Sequence, residues 1–426
     1  MTQLQTAKRR FLAGVLASFA PLFGVRAWAQ KSPTPRLRPK NPPVWTSFGL
    51  NGSPNHPRFS LTKEFVEGVR PEGLGMRVID SEAFGFMRER VTPLLMRQQP
   101  PTVQMKDSIA FKEDLILGFA HDFEIAVGAR MEKNGDNLNT LVIFMSGVGL
   151  ILTFEPDIGW RVISSFPFKL RLERFGKDLK NVRQLALENF DDCYSEYGKA
   201  FAEFVSRFNK WDQGFASNIF ARLTKVEFHK DSKEKLSGFK LDEKFDEEFV
   251  GFLSSTYICD SLNIPLLPFR EATDAMARFG TKYKEVMKVQ GVNQKGMPPA
   301  DFRFEIVIRD LSKTLTPSRQ LGITVIRRKL VINFLAVFMD DNNEPEKILQ
   351  TFAISEGEDK IPYGTIEDDT PDRDLIFFER LLSSILSNLL SGIAKRDAQL
   401  LARVGVKLDF LAPSIPRFLD CCSKVR

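Results

Sequence analysis

Two stretches of the chain repeat the same succession of apolar and polar positions. Residues 123–127 read Phe-Glu-Ile-Ala-Val, and residues 304–308 read Phe-Glu-Ile-Val-Ile. Further on, Arg161–Phe168 pairs with Lys347–Ile354 in the same way. The first pair is offset by 181 residues and the second by 186, so a small insertion separates them. Between these anchors each copy carries two apolar runs: Leu141–Met145 with Leu150–Phe154, and Gly322–Ile326 with Val331–Met339. Turn residues bound the runs, among them Asn134-Gly135-Asp136 and Thr316-Pro317-Ser318. Short apolar runs between turn signals predict strands, and short connections predict antiparallel pairing. Each copy is therefore expected to be a four-strand meander. Phe123-Glu124-Ile125 and Phe304-Glu305-Ile306 should occupy equivalent strands, and Phe166 and Phe352 equivalent inward positions.

The period then changes from two to 3.6. Phe190, Tyr194, Tyr197, Phe201, Phe204, Val205 and Phe208 recur every three or four residues, as do Phe378, Leu381, Leu382, Ile385, Leu386, Leu389, Leu390 and Ile393. Such stripes predict helices that cover a sheet. Thr370-Pro371-Asp372 supplies a cap, a first-turn proline and an acid at the positive helix end. The expected fold class is α+β: two related modules, each an antiparallel sheet of about four strands covered by amphipathic helices. The modules are placed at residues 59–225 and 226–426. The charged run at 225–249 is read as a solvated connection.

The N-terminus changes the picture. Lys8-Arg9-Arg10 precedes the apolar run Phe11–Gly24, and Ala27 and Ala29 flank Trp28 ahead of Gln30. This is signal-peptide organisation over residues 1–29, with cleavage after Ala29. Lys8-Arg9-Arg10-Phe11-Leu12 resembles a bacterial twin-arginine export signal, with lysine where that pattern has its first arginine. The resemblance implies folding before export to the periplasm, although the general secretory route stays open. Residues 30–58 form a basic arm with prolines at 33, 35, 39, 42 and 43. It is read as a spacer or a docking segment.

Of the 426 residues, 43% are hydrophobic and 27% charged, an ordinary globular balance. The formal net charge is +6, but residues 1–45 carry eight basic residues and no acid. The body is therefore at −2, which speaks against a domain built to neutralise phosphates. No later apolar run reaches the length of a bilayer span, so the mature chain is expected to lack a transmembrane segment. The four cysteines, Cys193, Cys259, Cys421 and Cys422, have no C-x-x-C spacing. They are read as buried thiols, with pairing of Cys193 and Cys259 left open.

Candidate chemistry is sparse. His56, His121 and His229 are far apart and form no H-E-x-x-H. Ser60-Leu-Thr-Lys63 matches S-x-x-K without its companion motifs, and is read as a helix cap. His121 beside Asp122 is read as a core or rim residue, with a general base as the rival. Gly147-Val148-Gly149 lacks the third glycine of a dinucleotide loop. Asp340, Asp341, Asn343 and Glu344 are weak calcium candidates, since Asp and Asn also favour turns. No cofactor is expected. The sequence points to an exported periplasmic binding or accessory protein that acts through an envelope protein partner. Two alternatives remain open: a periplasmic hydrolase built from scattered side chains, and a carrier of an apolar ligand, suggested by the 38 phenylalanines.

Overall fold

The alternating segments form two four-stranded sheets. Sheet 1 runs in the order β1 (Val44–Leu50), β2 (Ile116–Lys133), β3 (Asp136–Glu155), β4 (Gly159–Gly176). Sheet 2 runs β5 (Ala221–Phe228), β6 (Phe302–Ser318), β7 (Ile323–Met339), β8 (Pro345–Pro362). In both, the first strand lies parallel to the second and the rest are antiparallel. The fold is mixed α+β. The computed structural model describes residues 44–50, 57–69, 93, 96–97, 115–133, 136–155, 159–176, 182–188, 196, 199, 219–269, 298–340, 344–365 and 369–425. The leader with Ala27, Ala29 and Gln30, the segment 30–43, His56, Cys193, the aromatic stripe of 190–208, Asp341 and Asn343 lie outside these residues.

The meanders have three strands, not four. The runs Leu141–Met145 and Leu150–Phe154 belong to one strand, β3. Gly147 and Gly149 do not turn the chain. They stand opposite His121 and Phe119 on one side and Phe168 and Phe166 on the other. The missing side chains leave room for an aromatic layer in which Phe119 and Phe168 are 4.8 Å apart. In β7 the polar interval Arg327-Arg328-Lys329 likewise stays in the strand. Arg328 points inward into an ion-pair network and is fully buried. The fourth strand of each sheet is the parallel edge strand, and a parallel pair requires a crossover. In sheet 2 that crossover contains α3 (Lys230–Gly238) and α4 (Glu247–Leu262). The boundary expected between 225 and 226 falls inside β5, and β1 lies inside the segment assigned to the arm.

Helices and sheets alternate in layers. One face of sheet 1 carries α1 (Ser60–Val69) and α2 (Val182–Glu188). Its other face rests on α4 and on α5 (Pro371–Lys395). The far side of α4 and α5 packs on the inner face of sheet 2. Phe123 and Phe144 meet Phe249 at 5.5 and 5.7 Å from above, while Phe245 joins Phe249 and Phe378 to the lower layer. Because α4 is pressed between two sheets, it is buried all round and shows no polar face. Among the described residues α5 is the one helix long and apolar enough to cross a membrane, and both its faces are occupied by protein. The C-terminal helices α6 (Ala398–Ala402), α7 (Leu408–Leu411) and α8 (Ile415–Val425) close one end. Phe418 of α8 packs against Phe302 and Phe304.

Three β-bulges fall at matching places in the two sheets. Thr46 and Thr224 are extruded on the edge strands, Asp122 and Arg309 on the second strands, Ile163 and Ile348 on the fourth. Counted from these bulges, the second strands correspond at an offset of 187 and the fourth at 185. The residue matches expected from sequence are therefore out of register. Phe123 follows its bulge and Phe304 precedes its own, so the two face opposite sides. Phe166 and Phe352 miss by one residue, which also reverses the face. Phe166 is buried, whereas Phe352 is 53% exposed.

Candidate functional site

β1 pairs with β2 only as far as His121. From Phe123 onward β2 is an edge among the described residues, and the first turns of three helices converge on it. Glu124 reaches the start of α1, where its carboxylate accepts hydrogen bonds from the Thr62 amide at 2.5 Å and the Thr62 hydroxyl at 2.7 Å. A strand carboxylate thus serves the positive helix end. Asp246 caps α4 by accepting from the Phe249 amide at 2.7 Å. Thr370 caps α5, with Pro371 in its first turn, as the local sequence implies. Asp372 of α5 accepts from the Gly128 amide of the β2 edge at 3.4 Å, and Arg373 donates to the Arg130 carbonyl.

These elements enclose a cleft of about 440 Å³. Phe123, Phe249, Phe252 and Leu61 form its floor. Around them stand Glu124, Glu243, Asp246, Glu248 and Asp372, against the two cations Arg58 and Lys244. Arg58 bonds Glu248 at 2.7 Å and Lys244 bonds Asp372 at 2.5 Å. The cleft therefore combines an apolar floor with an excess of carboxylate, which suits a cationic group carried on an apolar body.

Ser60, the first residue of α1, lines the cleft. His121 does not: it is fully buried beneath Phe59, with ring centroids 5.7 Å apart. Its Nε2 lies 3.3 Å from Glu124 Oε2, and the same oxygen takes the Thr62 hydroxyl. The order is hydroxyl, carboxylate, imidazole. A nucleophilic triad places the imidazole next to the hydroxyl, and here Glu124 stands between the two.

A second polar cluster lies between β4 and the two central helices. Lys169 sits 3.7 Å above the Tyr257 ring. Burial pushes its pKa down to about 8, while Glu379 pulls it up and Arg171 lowers it. Arg171 bonds Glu379 at 3.1 Å and Glu173 at 2.6 Å, and Arg380 also holds Glu173 at 2.6 Å. Burial works against the Glu173 carboxylate, but these two guanidiniums hold it below the usual range. Desolvation pushes the Tyr257 phenol up.

The third cluster is ionic and lies under α5. Arg328 bonds Asp374 at 2.7 Å and Asp369 at 3.1 Å, Lys313 bonds both at 2.7 Å, and Arg373 bonds Asp359. Three cations meet three carboxylates, so the network is balanced and staples the start of α5 to sheet 2. This is where much of the acidic stretch 356–374 goes. Asp340 accepts from the Glu344 amide at 2.7 Å within the β7–β8 turn. Among the described residues no group of three or more His, Cys, Asp or Glu side chains is placed to hold a metal ion. Cys259, Cys421 and Cys422 are buried, and burial raises the Cys421 thiol. His229, at the start of α3, lies 3.8 Å from Asp231 on the surface.

Sequence spacing singled out Ser60 and His121 but missed Glu124 as a cap, Arg58, Glu248 and the whole Lys169 cluster. Arg58 and Glu248 are 190 residues apart, and nothing local marks them as partners. The one available signal was Lys or Arg interrupting an apolar alternation, as at Lys169 and in Arg327-Arg328-Lys329. No protein-family model matches the chain, and a search of curated proteins finds no match.

Proposed function

We propose that the protein is an exported periplasmic accessory protein that works by binding, and that the cleft at the β2 edge holds a basic, partly apolar segment of an envelope partner. The observation that carries this reading is the cleft's composition: five carboxylates and two cations around a phenylalanine floor, on a strand edge. An extended segment can lie along such an edge, and its Lys or Arg side chains then meet the acidic rim. The hydrolase alternative is weakened by the position of Glu124 between Thr62 and His121. The apolar-carrier alternative is weakened because half of the fourteen lining residues are charged. The signal-like leader and A-x-A site support export, and intact mass of protein recovered from the periplasm tests cleavage before Gln30.

Calorimetric titration with a short peptide alternating Lys and Phe tests the binding reading. Binding should weaken with added salt, and Glu243→Lys, on the exposed rim, should weaken it by about tenfold. Equal affinity of wild type and Glu243→Lys, or no binding at low salt, overturns it. We also infer that the two halves arose from one duplicated module. The shared strand order and the three matching bulges support this, because bulges tend to be kept as designed features.

A further inference from the structure

We propose that Lys169 is a nucleophilic amine that captures small uncharged aldehydes as an imine. The site is independent of the cleft reading and uses none of the residues that line the cleft. Lys169 stands on the side of β4 that faces α4 and α5, with its Nζ 3.7 Å above the Tyr257 ring. Among the described residues no carboxylate reaches ion-pair distance of that ammonium. The groups that face it are Arg171 from its own strand, Tyr257 and Asp260 from α4, and Glu379 from α5. The two carboxylates of this cluster that lie between the elements are already taken. Glu379 accepts from Arg171 at 3.1 Å and from the Ser383 hydroxyl at 2.8 Å. Glu173 accepts from Arg171 and from Arg380, each at 2.6 Å. Planar guanidinium forks hold carboxylates better than an ammonium does. What is left to Lys169 is an aromatic face, a weaker partner than an ion pair.

An amine so placed holds its proton poorly. Burial disfavours the ammonium more than Glu379 favours it, and Arg171 adds a repulsion that Asp260 offsets only in part, so the pKa falls to about 8. At neutral pH the uncharged fraction then exceeds that of an ordinary lysine by roughly a hundredfold. Desolvation beside a second cation is the arrangement that makes a lysine nucleophilic. The uncharged amine attacks the aldehyde carbon. Its two hydrogens leave with the carbonyl oxygen as water, and a C=N bond replaces the C=O bond, so the step needs no oxidant or reductant. Tyr257, kept protonated by burial, and the Ser383 hydroxyl hydrogen-bonded to it supply the proton relay. Once protonated, the imine keeps the positive charge that Glu379, Asp260 and the ring face, whereas acylation would delete it. Lys169, Arg171 and Arg380 balance Glu173, Asp260 and Glu379, so the cluster has no net charge with which to draw an ionic ligand. Lys169 and Tyr257 are half-buried and Asp260 is exposed, which leaves the amine within reach of a small molecule.

Trapping with borohydride tests the idea. The full chain is incubated with propanal over a series of pH values, reduced, and mapped by peptide mass spectrometry. Near neutral pH, Lys169 should be alkylated at least tenfold faster than Lys199 and Lys233, exposed lysines that each pair with a carboxylate. Its rate should level off just above pH 8, while theirs keeps climbing toward pH 10. Asp260→Asn removes a carboxylate that favours the ammonium and should move the Lys169 midpoint to lower pH. Tyr257→Ala admits water to the amine and should abolish the advantage, with a melting curve to confirm that the variant is folded. Alkylation of wild-type Lys169 no faster than that of Lys199 and Lys233, or a rate that climbs in parallel with theirs, overturns the proposal. Preferential reaction with acetic anhydride but not with propanal would mean that the amine takes acyl groups, and would refute the aldehyde assignment.

Discussion

At the scale of single residues, two phenylalanines that read alike in sequence have opposite fates. Phe166 is buried against the glycine track of β3, while Phe352 lies on the open face of sheet 2. Phe166→Ala should cost about 3–5 kcal/mol through the lost transfer energy and the cavity left behind. Phe352→Ala should fall within about 0.5 kcal/mol, as exposed substitutions do. Urea denaturation of both variants checks this, and comparable losses would contradict the assigned faces. Lys169 makes a pH-dependent prediction. Its folded pKa of about 8 lies below the unfolded value near 10.5, chiefly because burial disfavours the ammonium. Below pH 8 both states hold the proton and the burial cost is fully present, at most about 3 kcal/mol. Between pH 8 and 10.5 the unfolded chain binds more protons, so stability rises with pH. Lys169→Met should therefore be more stable than wild type at pH 7, and the advantage should shrink toward pH 10. An advantage that stays constant over that range would remove the titration argument.

At the scale of elements, what could be read depended on whether apolar and polar residues segregate to different faces, even where both faces are buried. The period-two stretches of β2, β4, β6 and β8 were legible because one face is apolar and the other mixed. The capped stripe of α5 was legible for the same reason. The helix α4 was not: buried between two sheets, it has no polar side, and its acidic first turn merged with the charged run before it. β3 was split because its glycines resemble turn residues, whereas they make space for Phe119, Phe166, Phe168 and His121. Bulges have no composition signal at all, and each one reverses the face of every residue beyond it. The candidate cleft was legible only through Ser60, since its other groups come together from four separate elements. Close approach gives a test at this scale. A Cβ on Gly392 of α5 would lie 2.8 Å from the Leu401 side chain and 3.2 Å from its backbone nitrogen. Gly392→Ala must push α6 away, and despite the better helix propensity of alanine it should cost about 1–3 kcal/mol. A stabilised variant would show that α6 yields freely.

At the scale of the whole molecule, the layered order ties the two halves into one folding unit. Sheet 1 buries the face bearing Phe123, Phe144 and Lys169 by lying on α4 and α5, which belong to the later half of the chain. Among the described residues, those helices in turn are covered on that side by sheet 1. Further ties cross the same boundary. Ser165 of β4 accepts from the Leu266 amide at 3.1 Å through its carbonyl, and Arg373 donates to the Arg130 carbonyl of β2. Separating the halves would expose phenylalanines on both sides and strand the Arg171, Glu173, Glu379 and Arg380 charges that pair across the gap. Glu379 is buried, so losing Arg171 strands its carboxylate in the interior, whereas the half-exposed Glu173–Arg380 pair contributes little. The chain should therefore melt in one cooperative transition, with calorimetric and van't Hoff enthalpies in agreement. Residues 1–218 and 219–426 expressed separately should each aggregate, and their co-expression should recover a soluble pair. Two resolved transitions, or a soluble and cooperatively folded half, would show that the modules are autonomous and that α4 and α5 do not need the sheet above them.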